Sequence, residues 1–158
     1  MTLNLTTALL TRLTVSNRLD SDDIRAIQGL RIQEKAIGAR EIIVADGERT
    51  DRCCMISEGF VFRSKTTEEG QRQVLSIHIP GEVPDLQSLH LDVMDHDLIT
   101  VTPCVLGFLT HADMKDVTRD RPNLAAAFWR ETLIDAAIFG NGSSMSDAGK
   151  PFREWRIS

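Results

Sequence analysis

Residues able to do chemistry are concentrated in the middle of the chain. All four histidines, His78, His90, His96 and His111, lie between positions 78 and 111. Asp95-His96-Asp97 joins imidazole to carboxylate, a donor set suited to zinc or iron. Metal ligands normally sit at defined spacing on rigid elements, and these do not. Local hydrogen bonding at loops and strand ends is therefore the expectation, and no metal site is assigned. His96 could also serve as a pH-sensitive hydrogen bonder between loops. Cys53 and Cys54 are adjacent on an expected strand, so their side chains point to opposite faces. One is expected in the core and the other toward solvent or a partner. Cys104 reads as a small core residue. Three cysteines, two of them adjacent, do not make a disulfide framework, and reduced cytoplasmic thiols are the simpler reading. There is no Gly-x-Ser-x-Gly elbow, no phosphate loop and no carboxylate pair at catalytic spacing. No catalytic residue is assigned, and an enzyme is not expected.

Charge narrows the partners. The 158 residues carry a formal net charge of −5, against a chain-wide nucleic-acid surface. Between Arg72 and Lys115 there is no Lys or Arg, whereas Glu82, Asp85, Asp92, Asp95, Asp97 and Asp113 fall in or beside that stretch. A cavity lined from this segment would repel a phosphate. Met1 to Leu10 has neither a basic start nor a long apolar core, and no run of about 18 apolar residues occurs, so no signal peptide or membrane span is expected.

The elements that must position these residues follow from periodicity. Leu5, Leu9, Leu10 and Leu13 fit one face of a short helix. A second helix is expected from about Asp22 to Leu30 with Ser21 as N-cap. From about Arg31 to Leu109 the apolar runs become short and β-branched, punctuated by Gly38, Gly47, Gly59, Gly70 and Gly81. Such spacing indicates a sandwich or barrel, with Asp46-Gly47 and Glu69-Gly70 at hairpin turns. A helix is expected over Ala112 to Arg119, interrupted at Arg121-Pro122. The next, capped by Asn123, should run from Leu124 to Phe139. It is apolar over most of its circumference, so it should be buried on more than one side, with a second subunit as the natural cover. Gly140 to Pro151 is turn-rich and breaks that pattern.

Several stretches together resemble the effector domain of the Crp–Fnr family of bacterial transcription regulators. They are Asp51 to Gly59, Gly70 to Glu82, Asp85 to His90, and the helix from Leu124 with Trp129. The resemblance implies a mainly β fold with flanking helices: a cyclic-nucleotide-binding-type jelly roll and a C-terminal dimerisation helix. The implied organisation is N-terminal helices over 1–30, the roll over 31–110, C-terminal helices over 111–139, and an atypical tail over 140–158 in place of a helix-turn-helix domain. Three origins of that tail remain open: a shifted reading frame after Phe139, a natural stand-alone domain, or a shortened chain. DNA binding is not expected from these residues alone.

The resemblance places a candidate ligand loop at Gly81, Glu82, Asp85, Leu86, Gln87 and Ser88, with His96 nearby. The family's phosphate-binding arginine is missing and its ribose-binding glutamate is doubtful, so cyclic AMP is not the expected ligand. An unidentified small-molecule effector is. The implied homodimer interface is Phe128, Trp129, Leu133, Ile134 and Ala137. Two alternatives stand beside this reading: a stand-alone ligand-binding module acting through protein partners, and a cupin-like metal-binding protein.

Overall fold

The computed structural model describes residues 5–146. Helix α1 (Leu5–Ser16) and helix α2 (Ser21–Gln28) lead into seven antiparallel strands. These are β1 (Gln33–Ile37), β2 (Ile42–Val44), β3 (Arg52–Glu58), β4 (Val61–Thr66), β5 (Arg72–His78), β6 (Asp97–Thr100) and β7 (Cys104–Thr110). A short 3-10 helix (Leu86–Leu89) lies between β5 and β6, and α3 (His111–Asp120) and α4 (Pro122–Ser146) close the described chain. One sheet has the order β1-β7-β3, the other β2-β6-β4-β5. This is the expected roll with flanking helices.

Period-two alternation explains how β3 serves two cores. Cys53 and Met55 pack against Leu9, Leu13, Leu109, Met114 and Phe128 on the helical side. Cys54 and Ile56 point into the roll with Val61, Leu98 and Leu106. Both cysteines are therefore buried, which corrects the expectation of one exposed thiol. The strand is covered on both faces, by helices and by the opposite sheet. Burial and the nearby Asp85 push both thiols well above the usual range. Cys104 is buried as expected.

Several element ends differ from expectation. Asp20, not Ser21, caps α2: its carboxylate accepts from the N–H groups of Asp22 and Asp23, and Asp23 reciprocates. Pro122 itself begins α4, since its fixed φ suits a first helical position and no N–H is needed there. Arg121 leaves the helical region at φ −132°, ψ 87°, as the residue before proline should. Helix α4 does not stop at Phe139 but runs on through Ser146. Two glycines in that stretch cost about 1 kcal/mol each, yet elongating an existing helix needs no new nucleus. The remainder of the atypical tail, 147–158, lies outside the described residues. Gly70 turns the β4–β5 hairpin at φ +80°. Gly47, also at positive φ, instead joins strands of different sheets, because β2 pairs with β6 and β3 with β7.

Candidate ligand-binding site

The loop after β5 builds the site. Gly81 takes φ +92°, and a Cβ there would meet the Ala8 carbonyl oxygen at 2.9 Å. Only glycine lets α1 sit this close to the turn. The loop is zipped to β3: Gly81 N donates to the Ile56 carbonyl at 2.8 Å and Ile56 N to the Glu82 carbonyl at 3.0 Å. This fixes Glu82 at the mouth of the roll.

From Glu82 an ionic chain runs both ways. Glu82 pairs with Arg12 of α1 at 3.3 Å, and Arg12 with Glu131 of α4 at 2.8 Å. The other Glu82 oxygen lies 2.8 Å from Nδ1 of His78, whose Nε2 contacts Ser76 Oγ at 2.8 Å and lies 3.9 Å from Asp135 of α4. Asp135 pairs with Arg63 of β4 at 2.5 Å. Two guanidiniums thus face three carboxylates in a partly buried setting. Burial works to raise the Glu82 pKa, but His78 and Arg12 outweigh it and hold Glu82 below its ordinary value. Burial likewise works to lower the Arg12 pKa, and Glu131 reverses it.

These groups surround a cavity of about 440 Å³ between the loop, β5 and the inner face of α4. Its apolar walls include Leu75, Ile77, Leu86 and Phe128. Gly81, Glu82, Leu86, Gln87 and His96 line it. His96 is held by Asp95 at 2.7 Å through Nδ1, and its Nε2 lies 3.5 Å from Gln87 Nε2. Burial lowers the His96 pKa against the opposing pull of Asp95.

Asp85 and Ser88 are not in this cavity, which corrects their assignment as ligand contacts. Residues three apart eclipse on a 3-10 turn, so both face into the fold. Asp85 accepts a hydrogen bond from Cys54 N at 2.8 Å, and burial drives its pKa up to about 7. It lines a second hollow of about 410 Å³ with Lys35, Arg49 and Arg52. Ser88 Oγ lies 2.9 Å from His111 Nε2 and 3.6 Å from Cys53 Sγ.

The acidic histidine cluster is split. His96 keeps Asp95, while Asp97 accepts from Asp46 N at 2.8 Å. Among the described residues, no three His, Cys, Asp or Glu side chains come together as a metal ligand set. Helix α4 presents two faces. Phe128, assigned to the dimer interface, is only 5% exposed and belongs to this chain's own core with Leu124 and Ala127. Its position continues the spacing 124, 127, 128, 131, which faces the roll. Trp129 and Leu133 are 68% and 58% exposed, Ala137 is exposed, and Ile134 is half-buried.

Arg12, Arg63, Glu131 and Asp135 were not anticipated. The segment between Arg72 and Lys115 holds no Lys or Arg, and the cavity draws its cations from α1 and β4. The carboxylates had a readable signal: positions 128, 131 and 135 share one face, so Glu131 and Asp135 interrupt the apolar surface of α4 on its buried side.

The sequence profile of the cyclic nucleotide-binding domain family matches residues 34–121, more than half of the chain. The chain belongs to that family. The cyclic nucleotide-binding domain seen here shares its fold with several solved structures. One is the N-terminal domain of a transcriptional regulator from Streptomyces coelicolor A3(2), at 20% identity and a TM-score of 0.61, covering 92% of this chain and 96% of that one. A cyclic nucleotide-binding domain from Methylobacillus flagellatus KT aligns at a TM-score of 0.77 and 10% identity, covering 92% and 85%. The catabolite activator protein of Thermus thermophilus aligns at 0.64 and 22% identity, over 84% of this chain. This chain spans 63% of the length of the Thermus protein. Among curated protein sequences, none matches. The structural neighbours include regulators of the Crp–Fnr type, in line with the resemblance read from the sequence. No helix among the described residues is long and apolar enough to cross a membrane.

Proposed function

We propose that this domain is the sensor of a Crp–Fnr-like regulator, with a small-molecule effector in the cavity beneath α4 and a second copy of the chain against the outer face of that helix. One observation carries the reading: Glu131 and Asp135 of α4 are themselves part of the cavity's ionic chain. An occupant that engages these groups competes with contacts that seat the helix, which links occupancy to helix position. Cyclic AMP is disfavoured, because the loop after β5 carries no Lys or Arg to hold its cyclic phosphate.

A thermal-shift screen with cyclic nucleotides and a panel of small metabolites tests the cavity. An effector at a hundred times its Kd should stabilise the fold by about 2.7 kcal/mol. Saturable stabilisation by cyclic AMP above all other compounds would overturn the ligand reading, and no shift from any class would count against a live cavity. The dimer rests on exposed Trp129, Leu133 and Ala137 along one side of α4. Light scattering should give a dimer for the intact chain and a folded monomer for Leu133→Lys. A monomeric parent at high concentration would sink that part of the proposal.

A further inference from the structure

Resting on the reading of this cavity as the effector site, we propose that the effector carries an oxyanion head group on an apolar body, and that it binds by taking the place of Asp135 at Arg63. The guanidinium is oriented without help from Asp135. Nε of Arg63 donates to the Pro84 carbonyl at 2.9 Å, and Nη2 donates to the same oxygen. Arg63 stands on β4, which is paired on both sides by β5 and β6. Its side chain is 12% exposed, and Nη1 alone is turned to Asp135. The barrel therefore holds a fixed cation with one donor nitrogen presented to an anion.

The anion it now meets is supplied by α4. Among the residues of this helix whose packing is described, the core contacts are Leu124, Ala127 and Phe128, all before Asp135. Around Asp135, residues Leu133, Ala136 and Ala137 are exposed, and the Asp135 side chain itself is 26% exposed. Charge decides between addition and exchange. A further anion added to three carboxylates and two guanidiniums would be repelled. A monoanion exchanged for Asp135 leaves the formal charge of the site unchanged, while Asp135 moves out to water with its helix. Leu75, Ile77, Leu86 and Phe128 supply the surface for an apolar body. Asp135 is then a built-in competitor, and effector binding releases a tether of α4.

The test titrates the full chain with 1-naphthoate and 1-naphthyl phosphate by calorimetry, with 1-naphthalenemethanol as the neutral control. Asp135→Asn should tighten at least one naphthyl anion by about tenfold, within the usual range of site-to-site coupling, and leave the alcohol unchanged. Tightening of only one of the two also supports the proposal and identifies the head group. Arg63→Gln should reduce anion binding to the level of the alcohol. In the parent chain, the anion should speed hydrogen exchange at amides 131–138. Circular dichroism checks the fold of each variant, and Asp135→Ser replaces Asp135→Asn if the latter does not fold. If the alcohol binds but the anions gain nothing from loss of Asp135, or lose nothing with Arg63→Gln, this inference fails and the effector cavity stands. If neither the alcohol nor either anion binds any variant, the effector cavity itself falls, and this inference with it.

Discussion

Glu82 and Asp85 are three residues apart in one loop and live in opposite electrostatic worlds. Glu82 faces the cavity, where Arg12 and His78 stabilise its charge. Asp85 faces the interior, where the backbone N–H of Cys54, its own N–H and the charge of Arg63 together cannot offset complete burial. The pKa of the first is held down and that of the second is driven up to about 7. The same side-chain chemistry thus has opposite consequences for stability, and the difference lies in what each faces: Glu82 meets Arg12 and His78, and Asp85 meets the backbone of β3. The cavity side is built to keep charge. The interior side tolerates a carboxyl best when it is protonated.

The strongest way to break this contrast is a pH series on Asp85. Its folded pKa, about 7, lies above its ordinary value of 3.8. Between those values the folded state holds a proton that the unfolded chain has lost, so stability falls as pH rises. From pH 5 to pH 8 the loss should be on the order of 2 to 3 kcal/mol. His96 and His111, both lowered chiefly by burial, act in the other direction, gaining stability as pH rises. The readout is therefore the difference between the parent and Asp85→Asn in urea denaturation. Asparagine keeps an acceptor for Cys54 N–H and cannot titrate. Parallel pH slopes for the two proteins would show that Asp85 is ionised throughout.

Much of this arrangement was legible in the sequence, and the reason it was incomplete is physical. Strand and turn signals are local, so the roll, the break at Arg121-Pro122 and positive φ at Gly47 and Gly70 could be read directly. The loop residues Gly81, Glu82 and Gln87 could be placed because one short segment carries all three. Which side of a four-residue 3-10 turn faces the cavity depends on the docking of β3 and α3, so Asp85 and Ser88 were misplaced. Arg12 and Arg63 reach the site from elements about 70 and 20 residues before it, and no local spacing records that closure. Phe128 was misread for a related reason. An all-round apolar helix does not say which face its own domain covers.

Gly81→Ala tests whether the loop's two sides are set by the approach of α1. The added Cβ would meet the Ala8 carbonyl at 2.9 Å and Arg12 Cβ at 3.3 Å, at a φ that L-residues rarely adopt. We expect a loss of about 2 kcal/mol, read as a lower urea midpoint. The cavity should suffer as well, since Arg12 must move away from Glu82 when α1 shifts. The pH slope assigned to Asp85 should persist, because its contact to Cys54 N comes from β3 and not from α1. Loss of that slope in Gly81→Ala would mean that the two sides of the loop are not independent.

The smallest effect isolates Glu82. Glu82→Gln keeps the shape and a hydrogen bond acceptor but removes the charge that joins Arg12 to His78. The pair is partly buried, so the cost at neutral pH should be about 1 kcal/mol. Its pH signature has the opposite sign to that of Asp85. A carboxylate whose folded pKa is held below its ordinary value of 4.5 contributes stability above that pH and loses it as pH falls through the folded value. The parent should therefore lose its advantage over Glu82→Gln in acid, at the end of the scale where protonated Asp85 is most favourable. An advantage that holds down to pH 2 would mean that the shape of Glu82, and not its charge, seats the loop against α1.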